Sequence, residues 1–126
     1  DPQSYSGDSK FETLLGGSYS QMTATSKMMG MDFKGISLTA YDNGKKVYIS
    51  TWIDNFGTGV MYMEGNYDET SKTIVYKGKM YDPMAGKDVE CKETIKNIDD
   101  KTFEMAMYYI ENGKEFKNME IKYTKK

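Results

Sequence analysis

The sequence predicts an all-β fold: an antiparallel up-and-down β-barrel or strongly curled sheet of about nine strands, lipocalin-like in outline. Three observations predict it. Apolar and polar side chains alternate along the main hydrophobic runs, no stretch places apolar residues at helical spacing, and turn-forming clusters recur at short, regular intervals. A sheet of that rhythm most economically closes on itself, because closure removes exposed edges. A two-sheet sandwich is the alternative that the pattern leaves open.

Taken in order, strands are expected near residues 10–15, 19–28, 32–41, 46–53, 58–66, 73–81, 87–97, 102–111 and 115–124. Gly16-Gly17 reads as a turn or kink between the first two. Ile36, Leu38 and Ala40 alternate with Ser37, Thr39 and Tyr41 in the third. Val47–Ile53 is the clearest strand, rich in the β-branched and aromatic residues that suit a pleated surface. Between these two, Asn43-Gly44 is a strong two-residue hairpin signal, since both central positions of such a turn take positive φ. Val60–Met63 and Thr73–Tyr76 follow, separated by Asp68–Lys72, whose leading Asp can accept bonds from backbone amides two residues on. Asp82–Lys87 places Pro83 and Gly86 where a turn uses them. Val89, Cys91, Glu93 and Ile95 share one face of the next strand, and Phe103, Met105, Met107 and Tyr109 one face of its successor. Met119, Ile121 and Tyr123 line the last. Residues 1–9 read as a trimmed or irregular N-terminal extension and 10–126 as one barrel domain.

Composition narrows the chemistry. The 126 residues include 17 basic and 19 acidic side chains, a formal charge of −2 with no large single-sign block. That balance excludes the basic face that nucleic acid requires. Every basic residue is a lysine, so the planar fork that grips carboxylate and phosphate is missing. Histidine is absent too, which removes the usual proton shuttle and the commonest zinc ligand, and with them the ordinary Ser-His-Asp and Cys-His triads. One cysteine, Cys91, allows neither an intrachain disulfide nor a CxxC motif, and its apolar neighbours mark it as an inert core thiol. No apolar run reaches the length of a membrane-spanning helix. The first residue is Asp1 rather than Met, which reads as a processed or trimmed start with any signal peptide already gone. Both a cytoplasmic and a cell-envelope location fit these features.

Candidate binding residues follow from the same alternation. Trp52, the only tryptophan, shares a face with Tyr48 and Ser50, where it either stacks on a ligand or packs as a core aromatic. Glu64 shares a face with Tyr62 and Val60, and Glu93 shares one with Cys91. Carboxylates turned toward a barrel interior are costly unless paired or wetted, so they mark either a polar ligand site or an ordinary cross-strand pair with lysine. Glu120 falls opposite the apolar face of its strand and is expected in solvent. Eleven methionines, among them Met63, Met105 and Met107, are many for this length, and thioethers line adaptable apolar sites as readily as they fill cores. Met28-Met29-Gly30-Met31 offers soft ligands for copper(I) but no Cys or His beside them, and no metal site is assigned. Asp54-Asn55 with Gly57-Thr58-Gly59 resembles no known calcium loop and reads as a hairpin connection.

Several short motifs occur in fixed order: Tyr41-Asp42-Asn43-Gly44-Lys45-Lys46, Ser50-Thr51-Trp52-Ile53-Asp54-Asn55, Gly57-Thr58-Gly59, Glu64-Gly65-Asn66-Tyr67-Asp68, Asp82-Pro83-Met84 and Met119–Thr124. With them the chain resembles, over nearly its whole length, the bacterial family described as domain of unknown function 1579. The resemblance implies a curved antiparallel barrel similar to the lipocalin and fatty-acid-binding group and brings no reaction with it. Two departures are visible. The chain begins after a tryptophan-containing strand usual in that family, which implies a sheet edge able to pair with a second copy. It also has Ser18 where the family tends to carry an arginine.

The function expected is a binding module for a small apolar or amphipathic molecule, with Trp52, Tyr62, Met63, Glu64, Glu93, Met105 and Met107 as ligand-facing residues. The alternatives are a filled barrel acting through its surface, as a homodimer through a sheet edge, and a carboxylate-based enzyme. No catalytic residue, cofactor or metal is assigned.

Overall fold

A computed structural model of the chain describes residues 6–82 and 84–125, except for the side chain of Met28. Among them are nine strands and no α-helix: β1 (Gly7–Leu14), β2 (Tyr19–Met28), β3 (Met31–Asp42), β4 (Val47–Asp54), β5 (Met61–Asp68), β6 (Thr73–Asp82), β7 (Lys87–Asp99), β8 (Thr102–Glu111) and β9 (Lys114–Thr124). Each lies within a few residues of its expected span. The largest shifts are at β1, which begins at Gly7 rather than residue 10, and at β5, which starts three residues late. Among the described residues no helix is long and apolar enough to cross a membrane.

The chain forms two compact units, Asp1–Tyr62 and Met63–Lys126. In the first, β1 to β4 lie in sequence order, each antiparallel to the next. In the second, β5 to β9 also follow chain order, and β6 to β9 pair antiparallel in turn. The all-β, up-and-down arrangement read from the sequence is therefore present in both. Among the described residues, the buried apolar side chains, Met63, Tyr76, Cys91, Met105 and Met107, all belong to the second unit.

Three connections use one device. In the β3–β4 loop, Asp42 Oδ1 accepts bonds from Gly44 N (2.9 Å) and Lys45 N (3.1 Å), and Lys46 N closes back on Asp42 O at 2.7 Å. In the β5–β6 loop, Asp68 accepts from Thr70 N and from the Ser71 hydroxyl. In the β6–β7 loop, Asp82 Oδ1 accepts from Met84 N, and Gly86 N returns to Asp82 O at 2.8 Å. The fourth loop residue takes positive φ each time: 58° at Lys46, 54° at Lys72 and 67° at Gly86. This corrects the expected turn at Asn43-Gly44. Neither residue adopts positive φ, because the Asp42 carboxylate organises a four-residue loop and moves the left-handed position to Lys46. Two-residue turns with paired positive φ occur instead at Met29-Gly30 and Asn112-Gly113.

Candidate functional site

Register decides which side chains meet in the second unit. Residues directly opposite one another in an antiparallel pair point to the same face. Glu93 on β7 lies between Tyr76 of β6 and Met107 of β8, and Met107 in turn faces Met119 of β9. The adjoining row runs from Gly78 through Cys91 and Tyr109 to Phe116. Phe116 reaches this face through a bulge: Met107 pairs with Met119 but Tyr108 pairs with Lys117, so Asn118 is the extra residue and the alternation of β9 changes phase there. Tyr109 and Phe116 stack with centroids 5.3 Å apart.

Burial grades along this face. Met63, Tyr76 and Cys91 are closed off, whereas Tyr109, Phe116 and Met119 are 36%, 41% and 40% exposed. Glu93 lies between these extremes, half-buried beside Cys91. Among the described residues no hydrogen bond or ion pair reaches its carboxylate. Burial disfavours the ionised form, pushing its pKa from 4.5 up to about 7. Two neighbours respond. The Cys91 thiol is raised to about 11, mainly by burial and then by the Glu93 charge. The Tyr123 hydroxyl is raised to about 12 by burial, with Glu93 again second. Cys91 is buried, as its neighbours implied.

The opposite face of the same strands carries the charge. Lys92 binds both oxygens of Glu115, at 2.8 and 2.9 Å, and lies 5.0 Å from the Tyr108 ring centroid. Lys117 donates to Glu120 at 2.9 Å, a bond that raises the lysine pKa further. Glu120 is exposed, as expected.

The other sequence candidates sit elsewhere. Met63, Met105 and Met107 join Glu93 on the buried side of the second unit. Tyr62 and Glu64 alternate to the opposite side of β5 from Met63 and Gly65, and Glu64 lines a shallow depression with Val75 and Lys77. Trp52 belongs to the first unit. Its indole N–H donates to Asp54 Oδ2 at 2.8 Å, its ring stacks on Phe33 with centroids 6.3 Å apart, and Phe56 meets Phe33 edge-on. The indole also lies against Gly35, where a Cβ would collide with its six-membered ring. Asp54 Oδ1 accepts from Phe56 N, and Asn55 clamps the start of β3 by accepting from Lys34 N (2.9 Å) and donating to Asp32 O (3.0 Å). The Ser50–Asn55 motif therefore builds a structural lock, with both Asp54 oxygens already engaged. Asp54→Ala should red-shift the emission of the single tryptophan and cost about 1–2 kcal/mol in urea unfolding; unchanged emission and stability would refute the lock.

The residues missed from the sequence are Tyr76, Tyr109, Phe116, Met119 and Tyr123. All but Phe116 were legible as members of apolar runs, but nothing singled them out without the register that brings them beside Glu93. A family model described as "Protein of unknown function (DUF1579)" matches residues 1–125. No curated protein and no solved structure matches the chain.

Proposed function

Because the chain belongs to the DUF1579 family, whose description assigns no reaction, we propose a function from the site itself: the second unit is a binding module for a small amphipathic molecule. One observation supports this most: a carboxylate without a hydrogen-bond or ion-pair partner among the described residues sits half-buried among apolar and aromatic side chains, Gly78 and Cys91. Burying an unpartnered carboxylate costs stability, so a stability role does not account for it. Tyr109, Phe116 and Met119 give an apolar body somewhere to lie, and Glu93 gives a polar end something to meet.

An enzyme of the paired-carboxylate type would need a second acid on this face. Glu64 alternates away from the buried side of β5, which favours binding over catalysis.

Titration calorimetry with octanol tests the proposal. The wild-type protein should bind it with Kd on the order of 100 μM, given the modest size of the ligand. Met119→Asp, at a position 40% exposed, should weaken binding at least about tenfold by wetting the apolar track. No heat with octanol, or equal binding by Met119→Asp, would refute the site.

A further inference from the structure

We infer that the molecule held by this face carries a cationic nitrogen, a primary ammonium on an apolar body, which pairs with Glu93. The inference rests on the binding function proposed above and adds the chemistry of the ligand's polar end.

Strand alternation has separated the charges along the central spans of β6 to β9. Along Ile74–Met80, Val89–Ile95, Phe103–Tyr109 and Phe116–Tyr123, the positions that share Glu93's face are apolar, aromatic, glycine or cysteine. The lysines within those spans, Lys77, Lys79, Lys92, Lys117 and Lys122, all alternate to the other face, where Lys92 and Lys117 already have glutamate partners. Within those spans the titratable groups that share Glu93's face are Tyr76 from β6, Cys91 on its own strand, Tyr109 from β8 and Tyr123 from β9, and none of them can become a cation; β5 contributes Met63. Lys87 and Lys114 reach this face only at the strand ends, where each lies opposite an acid, Asp82 and Glu111.

An ionised carboxylate in such a place has no countercharge on its own face within those spans. A ligand ammonium supplies it, and a charge-assisted bond in a partly dehydrated site is stronger than its neutral counterpart. Glutamine would fill the same space without the penalty of a buried charge, so the carboxylate is explained by a ligand that uses the charge. The raised pKa of Glu93 fits the same picture, since a bound cation would favour ionisation and release a proton near neutrality.

The test compares two probes with the same tail, octanol and octylammonium, at pH 5.5 and pH 8, by calorimetry on the wild-type chain and on Glu93→Gln. Octylammonium should bind about tenfold or more tightly than octanol at pH 8. That preference should shrink at pH 5.5, where Glu93 is protonated. At pH 7, buffers of different ionisation enthalpy should reveal proton release with octylammonium but not with octanol. In Glu93→Gln the ratio of octylammonium to octanol affinity should fall to about one at both pH values. Octanol binding with no preference at pH 8, or a preference that survives in Glu93→Gln, overturns the cation while leaving the binding module standing. Octanoate binding more tightly than octylammonium at pH 5.5 would likewise overturn it, by showing protonated Glu93 acting as a donor to an anion. Failure of octanol itself removes the binding function and this inference together.

Discussion

Glu93→Gln is expected to make the protein more stable at pH 8, by about 2–3 kcal/mol, and to leave it nearly unchanged at pH 4. The sign follows from the direction of the shift. Burial raises the folded-state pKa from 4.5 to about 7, so between those values the folded protein keeps a proton that the unfolded chain has released. Folded states that bind more protons lose stability as pH rises. The loss begins near pH 4.5, grows to about pH 7, and is complete above it. Glutamine cannot ionise and has no such dependence. For a domain of this length the difference amounts to roughly 10 °C in Tm at pH 8. Thermal unfolding of both proteins across the window, followed by circular dichroism, checks the prediction. A Glu93→Gln variant that melts lower than wild type at pH 8, or that keeps the same slope between pH 4.5 and 7, would show that the carboxylate is paired or solvated. A second reading comes from Tyr123, whose hydroxyl feels the same charge. Its titration, followed by ultraviolet absorbance, should move to lower pH in the variant.

That prediction could not have been made from the sequence, though most of its ingredients could. Alternation places Glu93 with Cys91, and it places Met105, Met107 and Tyr109 together; both groupings are found. Period-two patterning is legible because it is a property of one strand. What meets across strands depends on register, and register depends on loops and bulges. The Asp42 loop illustrates the difficulty: Asn43-Gly44 has the composition of a two-residue turn, yet the preceding carboxylate imposes a longer one. Asn118 does the same for β9, where one bulged residue carries Phe116 onto the face of Met119. Glu64 and Met63 show the opposite case, adjacent residues that alternation alone puts on different sides. Trp52 stands out in the sequence for its rarity, but its seat on Gly35 follows from pairing of β3 with β4, which brings Ser37 opposite Trp52 and Gly35 opposite Asp54; its bond to Asp54 lies within β4.

Gly65→Ala should cost about 3 kcal/mol or more. In a strand interior, alanine ordinarily gains up to about 1 kcal/mol over glycine, because glycine loses more freedom on folding. Here the methyl group has no place to go. A Cβ on Gly65 would overlap the Val75 carbonyl oxygen and lie 2.8 Å from Tyr76 Cα. Both obstacles are backbone, so no rotamer change relieves them, and β5 and β6 must separate. The displaced segment carries Tyr76, 2% exposed, which is the partner of Glu93 across the β6–β7 ladder. Overpacking in cores costs about 1–3 kcal/mol even where side chains can adjust, and a rigid obstacle belongs at or above the upper end. Gly59→Ala is the control, since nothing lies within 4 Å of the added atom there, and it should unfold in urea as the wild type does. Moving Tyr76 would also open water to Glu93, returning its titration toward that of an ordinary carboxylate. Gly65→Ala should therefore lose stability with less dependence on pH between 4.5 and 7 than wild type. A variant as stable as wild type would mean that β5 and β6 are less closely apposed at this point, and that Tyr76 owes its burial to something other than that contact.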